Sequence, residues 1–202
     1  MPKQKLTNPL ALAILSLLQE RPMHPYEAGA TMKQRGMNDV IKLNTGSLYA
    51  IIETLLKKGL IQPVGTEREG KHPERTIYEP TPAGTAVLFD WIRSLVRTPA
   101  KEYPQFAAGL AFLGHLSPEE AVVLLEERCG KLSELTAKMR TELRQNAEHG
   151  LDRLFVVEQE YALALNEAEL RWVDALIGDI RGEVLTKRMN DKLVWAITYQ
   201  EQ

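Results

Sequence analysis

The stretch TGSLYAIIETLLKKGLI, residues 45–61, decides the fold. Leu48, Ile51, Ile52, Leu55 and Leu56 recur at helical spacing, so all five share one apolar stripe. Gly46, Ala50, Glu53, Thr54 and Lys57 fall on the opposite side, and Ser47 and Tyr49 flank the stripe. Asn44 or Thr45 can cap the start. Gly59 suits a left-handed stop, with Leu60 folding back toward Leu55. The period then changes. LIQPVGTE and RTIYEPT are short β-compatible runs on either side of the polar loop EREGKHPE.

Upstream, Asn8-Pro9 marks a helix start, with Asn as cap and proline in the first turn. Leu10, Ile14, Leu17 and Leu18 repeat at helical spacing, and Pro22 closes the segment. His24-Pro25 begins a second helix, running through Tyr26 and Met32 to Gly36. Downstream, Pro63 restricts its run to an edge or irregular strand. In the second run Ile77 and Glu79 face one way and Tyr78 the other. Thr81-Pro82 starts a further helix, with Val87, Trp91, Ile92 and Leu95 on its apolar side. Three helices, a hairpin and a closing helix form the order of a winged helix-turn-helix.

That order gives the outward face of residues 45–57 a use. Recognition helices enter the major groove by their N-terminal residues. Gly46 and Ala50 let the backbone come close, Ser47 and Tyr49 offer hydrogen bonds, and a helix start capped at Asn44 or Thr45 favours an anion. Lys57 and Lys58 can meet the DNA backbone, although lysines also simply suit a helix C-terminus. In the loop, Arg68, Lys71, His72 and Arg75 can reach phosphates. Glu67, Glu69 and Glu74 dilute that charge, so a plain solvated hairpin tip is the alternative.

Charge is distributed unevenly. Residues 1–100 hold 13 Lys/Arg and 9 Asp/Glu, a net of +4; the remaining 12 and 18 give the second half −6. A basic front and an acidic rear fit nucleic-acid binding at the front. Solvated helix faces produce similar imbalances. The single cysteine, Cys129, excludes an internal disulfide framework and a multi-cysteine zinc site. A reducing, cytoplasmic setting is the simplest reading, with Cys129 as a small packing residue. No run of about 18 apolar residues is present, so no membrane span is expected. The opening MPKQKLTNPLALAILSLLQERP looks superficially like a signal peptide but lacks a small-residue cleavage site. It reads as a helix of the mature protein.

In the second half Ser117-Pro118-Glu119-Glu120 is a capping box. A long helix follows to about Glu148, with Leu125, Cys129, Leu132, Leu135, Met139 and Leu143 at loose three-four spacing. Gly150 breaks it. A second long helix is expected to carry Leu151, Leu154, Phe155, Tyr161, Leu165, Trp172, Leu176 and Ile180. Two long helices make a thin hairpin whose apolar faces need a partner, and a second subunit is the economical one. Leu125, Leu132, Met139, Leu154, Phe155, Tyr161, Leu165, Trp172 and Leu176 are therefore the expected dimerisation residues. The alternative is an internal bundle packed on Phe106, Leu110, Phe112 and Leu113.

Enzymatic signals are lacking. The acidic pairs Glu119-Glu120 and Glu126-Glu127 read as solvated helix faces. His24, His72, His115 and His149 have no metal-ligand spacing, and no phosphate loop or nucleophile elbow occurs. No cofactor or metal is expected. Trp91, Trp172 and Tyr161 can line a small-molecule effector cavity or simply belong to the core. The sequence names no ligand.

The segment from Leu10 to Leu88 resembles the PadR family of bacterial transcriptional regulators. Pro25-Tyr26, Gly46-Ser47-Leu48-Tyr49, Lys58-Gly59-Leu60-Ile61, Tyr78, Thr81 and Gly84 carry the resemblance. Leu154-Phe155, Glu160-Tyr161 and Glu169-Leu170-Arg171-Trp172 look like the longer C-terminal domain of one subgroup. Ala50-Ile51-Ile52-Glu53-Thr54 departs from a commonly more basic stretch, and the tail after Ile180 has no match. The resemblance implies a homodimeric repressor or activator acting at a promoter on double-stranded operator DNA. Members control genes for phenolic-acid detoxification, drug export and virulence. It also implies DNA contacts from Tyr26, Ser47 and Tyr49, with the wing cations on the backbone. The expected architecture is mainly α: a winged helix-turn-helix over residues 1–98 and a helical dimerisation domain over 99–202. The expected function is a ligand-responsive repressor on a pseudo-palindromic operator. A winged-helix protein-interaction adaptor without DNA binding is the competing reading.

Overall fold

The computed structural model describes residues 6–39, 41–67 and 75–196. The chain divides into two compact units, Met1–Lys101 and Glu102–Gln202.

The first unit is built around helix α1 (Pro9–Glu20). The Asn8 side chain accepts the Leu10 N–H at 3.0 Å, and Pro9 occupies the first turn. Leu10, Ile14, Leu15 and Leu17 are completely buried, with Ala11 and Ala13 beside them. A helix buried on so many sides is the hub of its unit. Helix α2 (Pro25–Gln34) is capped by His24, whose Nδ1 accepts the Glu27 N–H at 3.0 Å. Helix α3 (Thr45–Lys57) is capped by Asn44, which accepts the Ser47 N–H at 2.7 Å. The expected stripe faces inward: Leu48, Ile52 and Leu55 are buried, and Ile51 and Leu56 pack against the same core.

The end of α3 sets the wing. Gly59 takes φ +64°, and the Leu60 N–H turns back to the Leu55 carbonyl at 2.9 Å. Strand β1 (Ile61–Glu67) follows at once and pairs antiparallel with β2 (Arg75–Pro80). The register runs Ile61↔Pro80 to Pro63↔Tyr78, then shifts to Gly65↔Ile77. The irregularity falls beside Pro63, which has no N–H to give a ladder. Met23 forms an isolated bridge with Tyr78, their backbones exchanging hydrogen bonds at 3.1 and 3.2 Å. The wing root is thereby tied to the turn between α1 and α2.

Helix α4 (Pro82–Arg97) closes the unit. Thr81 accepts the Gly84 N–H at 3.1 Å and donates its hydroxyl to the Gly59 carbonyl at 2.7 Å. Gly84 lies so close to the residue before β1 that an added Cβ would sit 1.9 Å from the Leu60 carbonyl oxygen. The apolar side of α4 differs from the sequence reading. Leu88 is its buried residue, Val87 and Trp91 pack partly on the core, and Ile92 and Leu95 are exposed. The buried face is narrow: beyond Trp91 the apolar side chains Ile92, Leu95 and Val96 are exposed.

The second unit starts with a short helix, α5 (Gln105–Ala111), followed by α6 (Pro118–Glu148) and α7 (Val157–Arg181). Ser117 caps α6 by accepting the Glu120 N–H at 3.2 Å. At 1.5 Å per residue the two long helices extend about 46 and 38 Å. Gly150 (φ +74°) ends α6. The second helix begins later than the sequence pattern suggests: Leu154 and Phe155 belong to a single 3-10 turn, Arg153–Phe155. Asp152 explains this, since its carboxylate takes the Leu154 N–H at 2.9 Å and stabilises a local turn.

Helices α6 and α7 pack antiparallel around Val122, Leu125, Val173, Ile177 and Ile180. Arg128–Glu169, Arg140–Glu167 and Arg181–Glu126 clamp their flanks. The tail then forms a hairpin of β3 (Thr186–Met189) and β4 (Lys192–Trp195), which the sequence reading left unassigned. Asn190 and Asp191 both take positive φ, the conformation a tight two-residue turn needs. The hairpin folds onto the start of α6: the Trp195 indole N–H donates to the Leu116 carbonyl at 2.7 Å, and the Leu193 N–H to Glu119 at 2.9 Å. Among the described residues no helix is long and apolar enough to cross a membrane.

Candidate nucleic-acid interface

The face of α3 opposite the core starts at the capped N-terminus. Gly46, Tyr49 and Ala50 are exposed and Ser47 is half-buried. Tyr49 keeps 48% of its surface and Tyr26, on α2, keeps 63%. Thr45 is the first helical residue. Tyr26 stacks on His24 and receives the Arg75 guanidinium 5.2 Å from its ring centre. The first wing cation is thus brought to the same surface as the helix-turn-helix by a cation–π contact. Lys57 pairs with Glu53 at 3.7 Å along α3, both highly exposed. Such a pair is weak in water and leaves the lysine free to exchange partners. Arg68, Lys71 and His72 lie outside the described residues.

Nearby arginines are neutralised. Arg35 binds Glu20 through two hydrogen bonds of 2.6 and 2.8 Å, and Arg21 binds Glu27. The Arg35 hydrogen bond holds the Glu20 carboxyl below its ordinary range. These pairs tie the end of α1 to both ends of α2.

A cleft of about 200 Å³ separates α2 from the start of α3. Gly29, Ala30, Leu43 and Leu48 line it with carbon, and Tyr26, Lys33, Asn44 and Tyr49 ring it. Lys33 is exposed at this rim. Sequence reasoning passed over Lys33 and Ala30, although their spacing from Tyr26 (i+7 and i+4) puts all three on one face of α2.

The expected dimerisation residues divide. Leu154, Phe155, Tyr161, Leu165 and Trp172 expose between 50% and 72% of their surface. Leu125 and Leu132 are buried within the protomer, Leu125 in the α6–α7 core. Leu176 packs partly against that core, and Met139 is half-buried beside the Asn166 amide. The last four therefore hold the helix pair together, while the first five face outward. Burial pushes the Cys129 thiol up, with Asp174 and Glu126 adding to the effect, which disfavours thiolate chemistry there. Among the described residues no three acidic, cysteine or histidine side chains gather to hold a metal ion.

Residues 14–90 match the model of the transcriptional regulator PadR-like family. The match is confined to the first unit and describes that domain as PadR-like. Its fold is similar to that of Bacillus subtilis PadR crystallised with operator DNA, at a TM-score of 0.71 and 19% identity, covering 86% of this chain and 99% of that one. The same regulator crystallised with p-coumaric acid gives 0.67 at 18% identity, with 85% and 98% covered. The PadR-like regulator BC1756 of Bacillus cereus gives 0.58 at 12% identity, with 86% and 99% covered. At these identities the likeness is one of fold. No curated protein matches the chain. The matched residues run from within α1 to about the middle of α4 and take in every described residue of the α2–α3 surface.

Proposed function

We propose that the protein is a ligand-responsive repressor that binds a pseudo-palindromic operator as a homodimer. The observation that carries the reading is the exposed start of α3 on a PadR-like domain, with Tyr26 and Arg75 joined beside it. Thr45, Gly46, Ser47, Tyr49 and Ala50 enter the major groove. Tyr26, Lys57 and Arg75 meet phosphates, together with Arg68 and Lys71 from the wing loop. Residues 1–98 act as the DNA-binding domain and 99–202 as the dimerisation domain. The outward apolar residues of the second unit support association, since a monomer rarely leaves so many large side chains open. A second copy doubles the short set of base contacts one winged helix can make. Responsiveness to a small aromatic molecule is supported by the Phe106–Trp172 edge contact, with Arg128 3.6 Å above the Phe106 ring, an aromatic and cationic cluster in one place. Bacillus subtilis PadR, similar in fold, was crystallised with an aromatic acid. Trp91, by contrast, packs against the core of the first unit.

The test is a footprint of the full chain on its own upstream DNA over a salt series. The expected result is one protected element with two related halves, and an affinity that falls as a power of salt concentration because phosphate contacts release counterions. Uniform protection without a preferred element would overturn it.

A further inference from the structure

We infer that the cleft between α2 and α3 reads the C5-methyl group of a thymine; this rests on the proposed DNA-binding role of the same surface. Two independent observations lead there. The first is what the outward face of α3 lacks. Guanine is read mainly by Arg or Lys, adenine by Asn or Gln, and cytosine by Glu or Asp. Between Gly46 and Lys57 the outward positions offer Ser47, Tyr49, Ala50, Glu53 and Thr54. Glu53 lies beyond the first two turns of α3, and the Thr54 hydroxyl donates to the Ala50 carbonyl at 2.8 Å. No bidentate reader of guanine or adenine stands in the first two turns. Base discrimination by this helix therefore falls to hydroxyls and to apolar contact, and apolar contact distinguishes thymine.

The second observation is the cleft itself. Its floor is carbon, from Gly29, Leu43 and Leu48, with Ala30 on the exposed side, and it opens beside Tyr49 at the start of the proposed recognition helix. A base edge that needs hydrogen bonds would lose its water there and gain no partner from the floor. A methyl group gains by leaving water. Lys33 and the Tyr26 and Tyr49 side chains stand around the opening, where a positive charge and two hydroxyls suit the phosphates flanking the base. Gly29 keeps the cleft open, because a Cβ there would approach Leu48 Cδ2 to 3.1 Å. The charge at the rim and the carbon at the floor together select DNA carrying a methylated pyrimidine edge.

The experiment uses the full chain and duplexes it selects from a random-sequence pool. Each thymine of the selected duplex is replaced in turn by deoxyuridine, which removes only the methyl group. One position per half-site is expected to respond, with affinity falling about fourfold for a lost buried methyl and the two half-sites multiplying. Ala30→Leu fills the cleft from an exposed position and should abolish the thymine preference at that position, while circular dichroism shows the fold unchanged. A duplex selected with clear sequence preference but indifferent to every deoxyuridine overturns the inference and leaves the regulator reading intact. So does a thymine preference that persists undiminished in Ala30→Leu. Recovery of no preferred sequence overturns the regulator reading, and this inference with it.

Discussion

The two units solve the problem of burying apolar surface in opposite ways. In the first, α1 is enclosed on nearly all sides, and Leu10, Ile14, Leu15, Leu17, Met32 and Leu55 are fully buried by one another. In the second, 31- and 25-residue helices pack around a cluster of five buried residues, with Leu132 and Thr136 buried further along α6, and Leu154, Phe155, Tyr161, Leu165 and Trp172 are at least half exposed. The first unit's core is closed, although Tyr26, Tyr49 and Leu95 stay exposed outside it; the second unit's is slight, and the proposed homodimer would cover its open side chains.

The first unit has least slack at Gly84. Gly84→Ala puts a methyl group 1.9 Å from the Leu60 carbonyl, a backbone atom that cannot swing aside. Folding of the first unit should lose about 3 kcal/mol or more, at the upper end of what single substitutions do. Denaturation followed through the first unit checks this; a loss within measurement error would show that α4 and β1 separate freely. The same type of change at Gly109 or Gly130 of the second unit meets nothing within 4 Å and should be tolerated.

The complementary attack is on the open face. Phe155→Glu combined with Leu165→Glu places charges on two outward residues that are 65% and 53% exposed in the protomer. Helical content should hold, because neither side chain belongs to the buried core. Dimer dissociation should rise about 100-fold or more, since burying two unpaired carboxylates costs several kcal/mol. Sedimentation equilibrium measures it. An unchanged dimer would place assembly elsewhere on the second unit. Leu125→Glu is the control that should instead unfold the helix pair, being buried in its core.

These contrasts also show what sequence could convey. Local rules reached far in the first unit: Asn8, His24, Asn44 and Thr81 precede four helices, and three of those starts carry proline in the first turn. Gly59 predicted its own turn because few residues tolerate φ +64°. The periodic stripe of α3 also fixed which side faces out. Local rules failed where a single side chain competes with the helix, as Asp152 does before α7, and where tertiary contact decides, as in the tail hairpin anchored by Trp195 and Glu119. In the second unit Leu125 is buried in the protomer's own core and Leu154 is largely exposed, a difference that spacing alone does not convey, because periodicity does not separate a neighbour in the same chain from one in another.

Tyr49→Ala probes the recognition surface without touching either core. Its ring is half exposed beside the cleft and it belongs to neither buried cluster. Operator affinity is expected to fall about tenfold, the usual scale for one base or stacking contact, with thermal stability and dimer dissociation unchanged. Equal affinity at matched salt would remove Tyr49 from the interface.

The smallest effect concerns the hairpin that closes the second unit. Glu119 accepts hydrogen bonds from backbone N–H groups, its own and that of Leu193, and these hold its carboxyl below the ordinary value of 4.5. A carboxylate depressed in the folded state favours docking at pH values above its unfolded pKa, and that contribution disappears as pH falls through the lower folded value. Hairpin docking should therefore be insensitive to pH from neutrality down to about 4.5 and loosen beneath it. Trp195 reports this directly, because its indole N–H is bound to the Leu116 carbonyl beside α6 and its emission shifts when water reaches the ring. Glu119→Gln keeps an acceptor oxygen without a titrating proton, so its Trp195 signal should run flat across the same acid range apart from changes it shares with the parent chain. An identical acid transition in both proteins would assign the loosening to other carboxylates of the second unit.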